Sequence, residues 1–110
     1  MTCLPKWQDE MSDGCSVPKP LRPFILTSAE ARAVCVCHDE AYYYGGSELD
    51  RLRADLTFAL GLLDTPDREQ AERAYNAVRL GGAPHYRING VSWGFGGECF
   101  QYTEKPKVAP

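Results

Sequence analysis

This chain has little of what marks several large classes of protein. No run of apolar residues approaches the roughly 20 that a membrane-spanning helix needs. Basic residues do not outnumber acidic ones: the formal net charge is −3, which gives no electrostatic reason to bind nucleic acid. No internal repeat and no low-complexity segment is visible. These absences predict one small domain for the 110 residues.

The sequence also lacks any Cys-x-x-Cys pair, so a zinc ribbon has little support. Its five cysteines are nevertheless many for this length. They favour a disulfide-stapled protein, secreted or extracytoplasmic, over one in a reducing compartment. The first ten residues contain no apolar segment of the signal-peptide kind. We expect a monomer, in which an odd number of cysteines leaves at least one thiol free.

The first 26 residues are predicted to be irregular. Prolines at positions 5, 18, 20 and 23 exclude a long helix there. Asp13-Gly14 is typical of a turn. The apolar cluster at 21–26, which includes Phe24 and Leu26, has two interpretations. It is either a hydrophobic staple against the following helix or the lining of an acyl-chain groove.

Three helices are predicted in a core at 27–82, over about 28–44, 47–63 and 66–80. A capping-box pattern at 27–30 begins the first helix, and Gly45-Gly46 ends it. Ser47 caps the second, with Asp50 three residues later. Pro66 begins the third, because proline suits the first helical position.

Apolar spacing predicts the buried face of each helix. The predicted faces are Ala31, Val34, Cys35, His38, Ala41 and Tyr42 on the first helix, Leu49, Leu52, Leu56, Ala59 and Leu63 on the second, and Ala71, Ala74, Tyr75 and Val78 on the third. Tyr43 and Tyr44 are expected at the surface or an interface.

Beyond residue 82 the pattern changes. Loose alternation around Asn89-Gly90 predicts a small β-hairpin within 83–104, followed by a frayed tail at 105–110. Trp93 and Phe95 either cover the mouth of a site or fill the core.

The predicted helix pair contains polar residues where apolar ones are expected. His38 lies in the middle of the buried face of the first helix, and Asp55 lies beside the apolar stripe of the second. A buried carboxylate is costly unless it is paired, and His38 is the obvious partner. Asp39 points about 100° away from His38 around the helix. An oriented imidazole with a second carboxylate nearby is suited to general-base chemistry beside a cation.

His38-Asp39 followed by Tyr42, preceded by Cys35 and answered by Asp55, resembles the active-site helix pair of secreted phospholipase A2. The 13–16 loop, DGCS, is similar to a reduced form of that family's calcium loop. With the glycines after the first helix and the segments 51–55, 78–82 and 93–96, the chain resembles small bacterial and phage-type phospholipase A2-like proteins. The resemblance covers most of residues 13–97.

The resemblance implies a Ca²⁺-dependent esterase that cleaves the sn-2 acyl ester of glycerophospholipids at a membrane surface. It implies His38 as the general base, oriented by Asp55, with Tyr42 hydrogen-bonded to Asp55. The implied calcium ligands are Asp39, Asp13, Gly14 and Cys15, and the implied disulfide joins Cys15 to Cys35. The implied substrate-binding residues are Phe24, Leu26 and Trp93.

Several alternatives stay open from the sequence. His38 is also compatible with a core histidine that bonds Asp55 only for stability, and the 13–16 loop with an ordinary surface turn. Cys37 either pairs with Cys3 or Cys99 or stays free. A catalytically silent domain of the same fold, which binds a protein or lipid partner, is the competing function.

Overall fold

The computed structural model describes residues 26–82 and 93–94. Within these ranges the protein is mainly helical, which confirms the mainly α-helical fold class predicted from the sequence. In chain order, the elements are α1 (Ala29–Tyr44), α2 (Glu48–Leu63), a short 3-10 helix (Arg68–Gln70) and α3 (Ala71–Gly81). The predicted β-hairpin and tail, and all but the last residue of the predicted irregular segment, lie outside the description apart from 93–94.

Helix α1 ends where its sequence predicts and begins one residue later, since the capping-box pattern at 27–30 places the N-cap at Thr27 and the structure has it at Ser28. The Ser28 hydroxyl accepts a hydrogen bond from the Ala31 backbone N–H, which otherwise lacks a partner at a helix start. Gly45 ends the helix with φ 67°, and its N–H donates to the Ala41 carbonyl. Only glycine adopts this left-handed conformation without strain, so the chain turns tightly into α2.

The predicted cap of α2 is also confirmed. Ser47 accepts a hydrogen bond from the Asp50 backbone N–H, and the Asp50 carboxylate accepts one from the Ser47 N–H. This reciprocal pair satisfies two donors that the helix start leaves open. The short link forces α2 to return along α1. Contacts of Tyr42 with Arg51 and of His38 with Asp55 accordingly run in opposite order along the two helices.

The third helix begins later than predicted. Pro66 is not helical, and the 3-10 helix Arg68–Gln70 precedes α3. Asp67 instead contacts the N-terminal end of α1. Its carboxylate accepts hydrogen bonds from the backbone N–H groups of Thr27 and Ser28 at 3.1 and 2.9 Å. The Ser28 hydroxyl donates to the same oxygen at 2.6 Å. This long-range contact fixes the start of α1 against the end of α2.

The predicted inward stripe of α2 is wrong. Leu56 is 42% exposed and Leu63 is 51% exposed. The buried residues are Asp50, Arg51, Asp55, Phe58 and Leu62. The leucine spacing is a valid helical stripe, but α2 buries a neighbouring face because Arg51 and Asp55 find charged partners inside the protein.

Helix α2 packs against both other helices. The core between them consists of Ala31, Cys35, Phe58, Leu62, Ala71 and Ala74. On α1 the predicted face is confirmed, since Ala31, Cys35, His38 and Tyr42 are buried. The surface prediction for Tyr43 is wrong: it is 2% exposed, while Tyr44 is half-buried. In the described part of the chain, no helix has both the length and the hydropathy of a membrane span.

We predict that Asp67→Asn destabilises the protein in a pH-dependent way. Hydrogen bonds from Ser28 and Thr27 lower the pKa of Asp67 below 3.8. A carboxylate with a lowered pKa in the folded state stabilises the fold above its ordinary pKa, and this stabilisation is lost as the pH falls through the lowered value. The melting temperature of the variant should therefore be below that of the wild type at pH 7, and the difference should shrink below pH 3.8.

The matched control is Asp64→Asn, an exposed carboxylate at the end of α2. It should change the melting temperature little at either pH. A difference between the wild type and Asp67→Asn that stays constant from pH 7 to pH 2.5 would contradict the role given to the charge.

Candidate functional site

The carboxylate of Asp55 is the centre of the site. It is fully buried in the middle of α2. Its Oδ1 atom lies 2.8 Å from His38 Nε2 and accepts a hydrogen bond from the Tyr42 hydroxyl at 2.7 Å. Its Oδ2 atom accepts a hydrogen bond from Arg79 at 2.8 Å. The three residues predicted as catalytic thus meet at one carboxylate.

Helix geometry explains why His38 and Tyr42 reach the same oxygen. They are four residues apart on α1, so both side chains lie on one face, a turn apart. Their rings are in contact, with centroids 4.6 Å apart. Phe58, one turn after Asp55 on α2, also packs against the imidazole, with ring centroids 4.3 Å apart. The histidine ring is therefore held by aromatic neighbours from both helices.

His38 is one of the residues that line a cavity. The cavity has a volume of about 490 Å³, and most of its lining is apolar. Its lining includes Val34, Cys37, His38, Ala41, Arg53, Ala54, Phe58, Gly61 and Trp93. Nδ1 of His38 makes no hydrogen bond to the described residues.

The hydrogen bonds to Asp55 decide which ring nitrogen carries the proton. A carboxylate accepts hydrogen bonds and does not donate them. Since Oδ1 also accepts from Tyr42 and Oδ2 from Arg79, Nε2 of His38 must be the donor to Asp55. A neutral imidazole with a protonated Nε2 has its lone pair on Nδ1. The basic nitrogen of the neutral His38 ring is therefore Nδ1.

Tyr42 is a stable donor in this arrangement. Burial raises the pKa of its phenol far above 10, and the neighbouring Asp55 carboxylate raises it further. The hydroxyl is therefore protonated at neutral pH and donates to the carboxylate. Trp93 covers the Tyr42 ring edge-on at 4.9 Å, and its indole N–H donates to the Gly46 carbonyl at 2.9 Å.

Two arginines complete the site, and no role was predicted for either of them from the sequence. Arg51, one turn before Asp55, is 3.6 Å from Oδ2 and is buried. The i, i+4 spacing of these two residues is a sequence signal for an ion pair. Arg79 comes from α3, 24 residues beyond Asp55. No local pattern indicates that contact.

Other predicted site residues have different positions. Trp93 lines the cavity and is also buried. Leu26 packs against the core, as the hydrophobic-staple alternative requires. Cys37 has a free, exposed thiol and lines the cavity. Asp39 is half-buried on α1.

The remaining predicted ligands lie outside the described residues. Asp13, Gly14 and Cys15, predicted to bind calcium, are among them, as is Phe24. Cys35 is buried and disulfide-bonded, and its pairing with Cys15 stays a prediction. Among residues 26–82 and 93–94, no group of three or more His, Cys, Asp or Glu side chains is arranged to hold a metal ion.

Comparisons with known proteins do not assign the chain to a family. No protein-family model, no curated protein and no solved structure matches it. The geometry of the site is therefore the basis on which a function can be assigned.

We predict that Tyr42→Phe destabilises the protein and weakens any activity of His38. The change removes a hydrogen bond to a buried carboxylate, and such bonds contribute about 1.5–3 kcal/mol. Urea denaturation should show a fall of that order in the free energy of unfolding, with an unchanged dependence on urea concentration.

Tyr75→Phe is the matched control, because it makes the same change at a half-buried tyrosine of α3. It should leave stability within about 0.5 kcal/mol of the wild type. Equal effects of the two substitutions would show that the Tyr42 hydroxyl has no special role.

Proposed function

We propose that this protein is a Ca²⁺-dependent phospholipase A2-type esterase, which hydrolyses the sn-2 acyl ester of glycerophospholipids. One observation carries the proposal. The His38 ring, whose Nε2 is bonded to Asp55, lines a largely apolar cavity. A histidine bonded only for stability has no need of a cavity beside it.

In this proposal His38 is a general base. Nδ1 accepts a proton from a water molecule as the water oxygen attacks the ester carbonyl carbon. The imidazolium that forms is stabilised by Asp55, which keeps accepting the hydrogen bond from Nε2. The same proton then passes to the departing glycerol oxygen, which releases a fatty acid and a lysophospholipid.

The cavity suits a lipid ester. Its volume of about 490 Å³ is within the usual range for small-molecule sites. Val34, Ala41 and Phe58 give it apolar surface next to His38, and Arg53 gives it a cationic group. An acyl chain gains free energy by burial against the apolar walls.

The described residues fit a calcium ion only in part. Asp39 supplies the carboxylate oxygen that Ca²⁺ prefers, and it adjoins His38 in sequence. The other proposed ligands are Asp13, Gly14 and Cys15. A bound Ca²⁺ would polarise the ester carbonyl and stabilise the oxyanion.

Further features of the protein that were expected from its sequence are part of the same proposal. They are a phospholipase A2-like antiparallel helix pair, a C-terminal hairpin, a Cys15–Cys35 disulfide, a monomeric state and an extracytoplasmic location. The proposed partner is a phospholipid membrane surface. Exposed leucines on the outer face of α2 support this proposal. Leu56, Leu60 and Leu63 recur at helical spacing there and are 42%, 63% and 51% exposed.

A catalytically silent domain of the same fold is the second candidate. The same exposed leucines favour it, because an apolar stripe on a surface helix is typical of an interaction site. In that case His38 and Asp55 serve stability, and binding of a protein or lipid partner is the function.

We predict that His38→Ala abolishes hydrolysis and leaves the fold nearly intact. Without the imidazole, Asp55 still accepts hydrogen bonds from Tyr42 and Arg79, so it does not become an unpaired buried charge. Release of fatty acid from mixed phospholipid vesicles should need Ca²⁺ and stop with EDTA. It should fall at least about 100-fold in the variant, as expected for loss of a general base.

His85→Ala, at the only other histidine of the chain, is the control and should hydrolyse at the wild-type rate. Full activity of His38→Ala would refute the catalytic role of the residue. If the wild type releases no fatty acid and binds no Ca²⁺, the second candidate is favoured instead.

We predict that Asp39→Asn removes Ca²⁺ binding, because it replaces an anionic ligand by a neutral amide. Isothermal titration with CaCl₂ should give a binding isotherm for the wild type and only heat of dilution for the variant. Glu40→Gln is the matched control, since Glu40 is the next residue and is exposed. An unchanged isotherm for Asp39→Asn would exclude Asp39 as a ligand.

A further inference from the structure

One charged side chain of helix α3, that of Arg79, contacts the carboxylate of Asp55. Arg79 donates to Oδ2 at 2.8 Å, opposite the oxygen that meets His38 and Tyr42. The Arg79 side chain is 24% exposed, so its guanidinium enters the site from the protein surface. None of the helix caps and turns described above involves the Arg79 side chain.

The two arginines near Asp55 have different contacts. Arg51 donates to the backbone carbonyls of Val78 and Arg79, at 3.5 and 3.2 Å, and lies 3.6 Å from the carboxylate. It therefore joins α2 to the last turn of α3. Arg79 alone of the two lies at hydrogen-bond distance from Oδ2.

Glu48 fixes the guanidinium of Arg79 from the other side. Its carboxylate accepts from Arg79 at 2.7 Å and from Arg51 Nε at 3.1 Å. Partial burial alone raises the pKa of Glu48, but hydrogen bonds from the two arginines outweigh it and lower the pKa. Arg79 is thus held between two carboxylates, which restricts its planar donor group to one orientation.

We propose that Arg79 is a positioning residue for His38. By occupying Oδ2, it fixes the rotation of the Asp55 carboxylate so that Oδ1 accepts from both Nε2 of His38 and the Tyr42 hydroxyl. This keeps the neutral imidazole in the tautomer in which Nδ1 is the basic nitrogen. The inference rests on the proposed function only for its effect on hydrolysis; the effect on the tautomer is independent of it.

The test combines Arg79→Met and Arg79→Lys with two readouts. The first is ¹⁵N NMR of the His38 ring in a His85→Gln background, which leaves one histidine, at a pH above which its shifts no longer change. The wild type should show the Nε2–H tautomer, and Arg79→Met a mixture of tautomers. Arg79→Lys, which keeps the charge but not the planar fork, should lie between them.

The second readout is hydrolysis of phospholipid vesicles. Arg79→Met should lower kcat about 10- to 100-fold, as loss of a supporting hydrogen bond to a catalytic group typically does. KM should stay within about twofold, because Arg79 does not line the cavity. Arg73→Met, at an exposed arginine of α3, is the matched control and should change neither kcat nor the tautomer.

A wild-type tautomer and wild-type kcat in Arg79→Met, with only a lower melting temperature, would overturn the proposal and leave Arg79 a purely structural role. If Arg79→Met does not fold, the same two readouts on Arg79→Lys decide. If the wild type hydrolyses no phospholipid, the esterase proposal fails, and the tautomer measurement alone tests the role of Arg79.

Discussion

The described structure depends on the hydrogen bonds and ion pairs made by the buried carboxylate of Asp55. A charged group removed from water costs several kcal/mol unless hydrogen bonds and opposite charge compensate it. Each of the three helices supplies part of that compensation: α1 through His38 and Tyr42, α2 through Arg51, and α3 through Arg79. The contacts that join the three helices at this point are therefore also the contacts of the site.

Charge balance explains how so polar a cluster is stable inside a small domain. Asp55 and Glu48 contribute two negative charges, and Arg51 and Arg79 contribute two positive ones. The cluster beside the imidazole is neutral, so it orients the ring through hydrogen bonds without a large net field. The aromatic ring of Phe58 packs against the imidazole.

Local signals determined the helices because they act over a few residues. Ser47 caps α2 as predicted, Ser28 caps α1 one residue after the position that the capping-box pattern gives, and Gly45 ends α1 in the conformation that glycine favours. The pairing of His38 with Asp55 was also predictable, since a buried carboxylate needs a partner and the glycine turn brings the two helices together. The shared face of His38 and Tyr42 follows from their spacing of four.

The tertiary structure decided which face of α2 is buried and what surrounds Asp55. The stripe that includes Leu56 and the stripe that includes Phe58 both have helical spacing, so periodicity could not choose between them. Arg79 and Asp67 act on partners 24 and 40 residues away, where no sequence pattern points. The sequence determined caps, turns and the histidine–carboxylate pair because these depend on neighbours along the chain. The burial of charge depends on partners that only packing brings together.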